Sequence, residues 1–293
     1  MDFGDRKDAG RRLAACPGHR RGAAAGVLDL RRRASRPPGH PAGSPECAAR
    51  PSSPARSAAT PPAGTAPAAT TAAPVVGTAD RPARSEEVQP VAGAVRLAGS
   101  LAIVEGSRGM VVFAHGSGSS RHSPRNRYVA GVLNDAGLST LLFDLLTPEE
   151  ERDRPNVFDI ALLAGRLAQV TGWLRAQPAA ARAAIGYFGA STGAAAALRA
   201  AADPGAGIAA VVSRGGRPDL ARPRLAAVTA PTLLIAGGRD KVVLDLNRRA
   251  QAELRCRNHL AVVPGASHLF EEPGTLDTAA GLARDWFIRH LTP

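Results

Sequence analysis

The sequence predicts an α/β domain: a mostly parallel sheet with helices on both faces, preceded by a disordered tail. Two observations carry this reading. From about Val91 onward, short runs rich in Val, Ile and Leu alternate with longer helical segments, the pattern of strands buried on both faces. Before that point, residues 1–90 contain Arg31-Arg32-Arg33 and an Ala/Pro/Thr/Ser stretch from Pro51 to Pro74, with no sustained apolar periodicity. Such a segment cannot bury enough apolar surface to offset its chain entropy. Residues 1–90 therefore read as a tail, either a disordered extension or an overextended start. Residues 91–293 read as one domain, long enough to build its own core.

Within the domain the strand candidates are Leu101–Val104, Met110–Ala114, Thr140–Phe143, Ala184–Phe188, Ala209–Ser213, Thr232–Ala236 and Leu260–Val263. Each is a short apolar run bounded by turn residues. Helix candidates lie between and after them at Arg125–Ala136, Asp159–Ala176, Thr192–Ala202, Leu244–Leu254 and Thr278–His290. Strand–helix alternation over this length favours parallel pairing.

Composition removes several function classes. The 37 basic and 25 acidic residues leave a net charge of +12, and Lys7 and Lys241 are the only lysines. Abundant Arg, Ala, Gly and Pro with scarce lysine is what a GC-rich coding sequence yields, so the charge does not by itself imply a polyanionic partner. The tail carries 14 basic and 8 acidic residues, but its only aromatic is Phe3. Basic clusters interleaved with stacking rings are missing, which argues against nucleic-acid binding. Cys16, Cys47 and Cys256 are widely separated and make no CxxC, so neither a disulfide framework nor a zinc site is expected. No run approaches the ~18 apolar residues of a membrane span. Leu13-Ala14-Ala15-Cys16 has a lipobox form, but Asp8, Arg11 and Arg12 occupy the place of the apolar region an export signal requires. A cytoplasmic location is expected, with no metal and no cofactor.

The chemistry concentrates at Ile185-Gly186-Tyr187-Phe188-Gly189-Ala190-Ser191-Thr192-Gly193-Ala194. A strand runs into Gly-x-Ser-x-Gly and then into an alanine-rich helix. Ser191 is thereby placed on a strained strand-to-helix turn, with Gly189 and Gly193 supplying clearance on either side. The N–H groups of the helix start face the same spot and favour developing negative charge.

A serine nucleophile needs a base, and the base needs an orienting acid, in the chain order Ser, Asp or Glu, His. Asp240 follows the run Thr232–Ala236 through Gly237-Gly238-Arg239, 49 residues after Ser191. His268 follows Leu260–Val263 and the turn Pro264-Gly265-Ala266-Ser267, 28 residues further on. Both sit at C-terminal strand ends, where open α/β sheets hold ligands. Asp240 pairing with Arg239 or Lys241 and His268 packing as a loop residue are the plain alternatives. His122, His259, His290 and Asp245 are less well placed. For the oxyanion, the strand ending at Ala114 enters His115-Gly116-Ser117-Gly118-Ser119-Ser120. Gly116 or Ser117 in this loop would offer one backbone N–H and Thr192 another.

These four elements in this order resemble the α/β-hydrolase family, from roughly Val91 to Pro293. The lidless layout and the acid loop Gly-Gly-Arg-Asp-Lys-Val-Val (residues 237–243) are similar to the dienelactone hydrolase branch. The resemblance implies Ser191 as nucleophile, His268 as general base and acid, and Asp240 as its orienter. Dienelactone hydrolases proper carry cysteine where this chain has serine. Domains of this kind also occur fused behind phosphoribosyltransferases, but residues 1–90 offer no strand with an acidic diphosphate-binding motif.

The expected substrate is a small-molecule ester or lactone of small or medium size, since only Gly215 to Ala230 stands where a cap would be inserted. Arg121, with His122, Arg125 and Arg127, follows the oxyanion loop, and Arg214, with Arg217, follows Ala209–Ser213. Arg121 and Arg214 are the candidates for holding an anionic or polar substrate group; surface arginines paired with Glu149–Glu151 or Asp153 are the alternative. The fold also hosts haloperoxidases, acyltransferases and C–C bond hydrolases, and a non-catalytic binding module on the same scaffold is the second reading. The sequence does not set an oligomeric state.

Overall fold

The structure, a computed structural model, describes residues 84–107 and 109–291. Residues 1–83 of the expected tail lie outside the described residues. The rest is an eight-stranded sheet flanked by helices. In chain order the elements are β1 (Arg84–Val88), β2 (Val91–Ala92), β3 (Val95–Arg96), β4 (Gly99–Ile103), β5 (Met110–Ala114), α1 (Pro124–Asp135) and β6 (Ser139–Phe143). There follow α2 (Pro148–Arg152), α3 (Arg154–Phe158), α4 (Ile160–Arg175), β7 (Ile185–Ala190), α5 (Thr192–Ala201) and β8 (Ala210–Arg214). The chain continues through β9 (Thr232–Gly237), α6 (Lys241–Glu253), β10 (Asn258–Val263) and α7 (Thr275–Leu291).

The strand order is β1-β4-β6-β5-β7-β8-β9-β10. From β6 to β10 every pairing is parallel, while β4 runs antiparallel to both β1 and β6. The middle strands β5, β7, β8 and β9 are buried along their whole length. Alternate side chains feed two cores. Val112, Tyr187 and Leu234 pack with α4 and α5 on one face, and Val111, Phe113, Phe188 and Ile235 with α1 and α7 on the other. No helix of the described residues is long and apolar enough to cross a membrane.

The tail boundary at residue 90 is corrected. Arg84–Val88 forms the sheet's outer strand, paired antiparallel with β4 from Arg84 opposite Ile103 to Val88 opposite Gly99. Four of its five residues are exposed, so it reads as a polar segment in the sequence although its backbone extends the sheet.

Helix starts follow capping chemistry. Ser123 Oγ accepts the Asn126 N–H, Asp159 accepts from Ala161 and Leu162, and Asp240 accepts from Val243. At α5 the N-cap is Ser191, and its side chain makes no capping bond. Its hydroxyl points to other work.

Candidate active site

Ser191 has φ 50° and ψ −121°, a backbone region that non-glycine residues occupy at a cost of about 1–3 kcal/mol. The surroundings hold it there. Its N–H donates to the Arg214 carbonyl at 3.3 Å, and its own carbonyl accepts from Ala194 at 3.2 Å and Arg217 at 3.0 Å. The close packing explains the flanking glycines. A Cβ on Gly189 would lie 2.4 Å from Ala194 Cα, and one on Gly193 would lie 2.1 Å from the Ala114 carbonyl oxygen.

The turn lifts the hydroxyl toward His268. Ser191 Oγ lies 3.4 Å from His268 Nε2, and His268 Nδ1 lies 2.8 Å from Asp240 Oδ2. An N–H on Nδ1 donates to that carboxylate, which leaves Nε2 as the acceptor facing the serine. The second Asp240 oxygen caps α6 through the Val243 N–H at 3.3 Å. The structure thus brings all three expected residues into one row. The competing partners are engaged elsewhere: Arg239 reaches Glu272, and Asp245 pairs with Arg249 at 2.6 Å. His290 packs at a tilt against Trp286, and His259 lies on β10. His122 lines the cavity in front of Ser191, where no hydrogen bond joins it to the serine among the described residues.

The expected oxyanion loop comes to the same place, with one difference. A Cβ on Gly116 would meet Ser191 Cβ at 2.9 Å, so this glycine lets the loop close on Ser191. The Ser117 N–H, expected to face an oxyanion, instead donates to Thr192 Oγ1 at 2.8 Å. That bond ties the loop to the start of α5. The Thr192 N–H is at the first helical position, where no intrahelical acceptor exists.

The two arginine expectations separate. Arg121 is turned away from Ser191: its Nη1 donates to Asp144 Oδ2 at 2.5 Å, its backbone N–H to Asp144 Oδ1 at 2.7 Å, and Glu87 lies 3.7 Å from its Nε. It therefore lines a different hollow, and its substrate-binding assignment is withdrawn. Arg214 lines the cavity of about 570 Å³ that opens on Ser191 and His268.

Several contributors carry no sequence motif of their own. His115 Nδ1 is 3.0 Å from the Gly116 carbonyl, and its Nε2 accepts the Leu145 N–H at 3.1 Å, which binds the oxyanion loop to the end of β6. Burial pushes its pKa below the ordinary histidine value. Glu272 accepts from the Ser267 N–H at 2.9 Å and steadies the loop that carries His268; that bond holds its carboxyl below the usual range. Asn126, on the first turn of α1, accepts from Arg214 Nη2 at 3.3 Å. Its Ser123 cap marks the helix start, but nothing in the sequence points Asn126 at the site.

No family model matches the chain. A protein of Mycobacterium tuberculosis named "putative phosphoribosyl transferase" is 69% identical over 212 residues, covering 72% of this chain and 48% of its own length. The chain therefore spans about half the length of that curated relative. An uncharacterized protein of the same species is 32% identical over 226 residues, which cover 78% of it. Among solved structures, dienelactone hydrolase from Anabaena variabilis superposes with a TM-score of 0.70 at 54% identity, covering 71% of this chain and 99% of that one. The identity and coverage of that match agree with the strand order and the Ser191 turn: the chain belongs to the dienelactone hydrolase-like branch of the α/β-hydrolase family.

Proposed function

We propose that the domain is a serine hydrolase that cleaves small or medium esters or lactones through an acyl-enzyme. The observation that carries the reading is the row from Asp240 through His268 to Ser191, with spacings of 2.8 and 3.4 Å, ending on a serine whose backbone is strained and whose side chain caps nothing. Ser191 Oγ attacks the carbonyl carbon while His268 Nε2 takes its proton. Asp240 accepts the Nδ1–H throughout, fixing the tautomer and stabilising the imidazolium. Negative charge forms on the former carbonyl oxygen and is met by the Thr192 N–H. The loop at Gly116 and Ser117 supplies the second donor once the oxyanion replaces Thr192 Oγ1 as the acceptor for Ser117. Collapse expels the alkoxide, which receives the proton from Nε2. Water then repeats the sequence on the acyl-enzyme, releasing the acid and restoring Ser191.

The name of the 69% identical relative speaks of phosphoribosyl transfer. The stretch described here carries a hydrolase sheet and the Ser191 row, so we assign hydrolysis to this domain. Steady-state hydrolysis of p-nitrophenyl butyrate tests the assignment. Turnover that vanishes in Ser191→Ala and in His268→Ala supports it. Turnover that survives in both removes it, and a folded wild type without turnover favours a binding module on the same scaffold.

A further inference from the structure

The strained turn at Ser191 is braced by a single peptide unit. The peptide joining Gly216 to Arg217 gives its N–H to the Ser191 carbonyl at 3.0 Å. Its carbonyl oxygen accepts from Asn247 Nδ2, also at 3.0 Å. A peptide unit is planar, with its N–H and C=O on opposite edges, so whatever fixes the oxygen also aims the N–H. The segment is tightly seated. A Cβ on Gly216 would lie 2.0 Å from Ser213 Oγ and 2.6 Å from Ala194 Cβ, and one on Gly215 would lie 3.0 Å from the His268 carbonyl oxygen. The brace thus runs between the nucleophile turn and the loop that carries His268.

Asn247 is fully buried on α6, two turns beyond the Asp240 cap. Its second amide hydrogen goes to the Val243 carbonyl at 2.8 Å. Two carbonyl oxygens face Nδ2, so the NH2 group and not the amide oxygen stands there. Oδ1 is buried and has no hydrogen-bond partner among the described residues, a cost that a leucine of similar volume would avoid. The Val243 carbonyl lies inside α6, where the helix supplies its own donor. What needs the amide is the Gly216 carbonyl. Asn247 is not among the residues lining the Ser191 cavity, so it acts through the backbone and not on a substrate.

We infer that Asn247 is a positioning residue for Ser191. Its amide orients the Gly216–Arg217 peptide, which in turn keeps the serine in a backbone conformation that persists only where the surroundings impose it. Helix α6 then holds both ends of the row: His268 through Asp240, and the Ser191 turn through Asn247. The inference rests on the hydrolase reading for its effect on turnover, but the clamp itself is measurable without turnover.

The experiment measures p-nitrophenyl butyrate hydrolysis and melting temperature in wild type, Asn247→Leu and Asn247→Asp, which remove the donors at similar volume. Ala250→Gly, on the same buried face of α6, is the control for lost stability alone. Both Asn247 variants should lose about 10- to 100-fold in kcat, the scale of a small misplacement of a reacting group, with KM within about threefold, a difference under 1 kcal/mol. Ala250→Gly should melt lower and keep kcat. Ser191→Gly supplies the second readout, because glycine adopts the turn without strain. It should raise the melting temperature more in the wild-type background than in Asn247→Leu or Asn247→Asp, where the turn has already relaxed. The inference is overturned if a folded Asn247 variant loses less than about tenfold in kcat, or if Ser191→Gly shifts all backgrounds equally. It is also overturned if neither Asn247 variant folds, which would assign the residue to the fold. A folded wild type without turnover would remove the hydrolase reading, and unequal Ser191→Gly shifts would still establish the clamp.

Discussion

Asp240 serves two partners with its two oxygens: Oδ2 lies 2.8 Å from His268 Nδ1, and Oδ1 accepts the Val243 N–H that starts α6. The residue proposed to orient the base is thus also a helix cap, so its position is set by the fold. The two roles respond differently to substitution. Asparagine caps helices about as well as aspartate, but its amide can donate to Nδ1 and so hold the wrong tautomer. Asp240→Asn should keep the wild-type melting temperature while kcat/KM falls by about 10⁴-fold. Asp240→Ala should lose the activity and also about 1 kcal/mol of stability. Ester kinetics and thermal unfolding check both, and an Asn variant within tenfold of wild type would contradict the role given to Asp240.

The tight clearances around Ser191 predict opposite outcomes for two glycines. A Cβ on Gly193 would run into the Ala114 and His115 carbonyl oxygens at 2.1 and 2.4 Å, whereas one on Gly131, within α1, meets nothing within 4 Å. Gly193→Ala should destabilise the domain by at least about 1–3 kcal/mol and displace the oxyanion loop. Gly131→Ala should stabilise by up to about 1 kcal/mol through helix propensity. Denaturant unfolding of the two variants gives the signs.

Arg121 should matter to the fold and not to the reaction. Its guanidinium is committed to Asp144 and its side chain lines a hollow away from Ser191. Arg121→Ala is expected to lower stability by about 1 kcal/mol, the scale of a partly screened ion pair, and to change kcat/KM for neutral and acidic esters by less than about threefold, a difference under 1 kcal/mol. A selective loss on acidic esters would restore it to the substrate site.

His115 predicts an acid sensitivity with a defined sign. Its pKa in the folded chain is lowered by burial, so as pH falls below the unfolded value of about 6.5 the unfolded chain takes up a proton that the folded one refuses. Stability should therefore decrease from pH 7 toward pH 5, until the lowered folded pKa is reached. His115→Asn should show a shallower decline across that window than wild type. Melting temperatures at half-unit pH steps test it, and parallel curves would assign the acid loss to other groups.

Much of the site was legible because its elements announce themselves by pattern. Buried parallel strands are continuous apolar runs, so Met110–Ala114 is found at its observed bounds and Thr232–Ala236 is short of its observed end by one residue. The Ser191 turn is marked by glycines whose spacing reflects real close contacts. What stayed hidden has physical causes. Arg84–Val88 is an exposed edge strand, so the sequence Arg-Ser-Glu-Glu-Val offers no apolar alternation to read. Arg121 and Arg214 look alike as loop arginines at strand ends. Only tertiary structure shows that Asp144 captures one and that the other is left among Asn126 and Phe270. Sequence position likewise put Ser117 and Thr192 together without revealing that the threonine hydroxyl takes the Ser117 N–H.

The central claim is that Ser191 is an activated nucleophile. Reaction with a fluorophosphonate probe, followed by intact mass and peptide mapping, tests it most directly. The account predicts a single adduct on Ser191 in wild type, none in Ser191→Ala, and labelling slowed by orders of magnitude in His268→Ala. Folded wild type that stays unlabelled, or that is labelled at another residue, would contradict it.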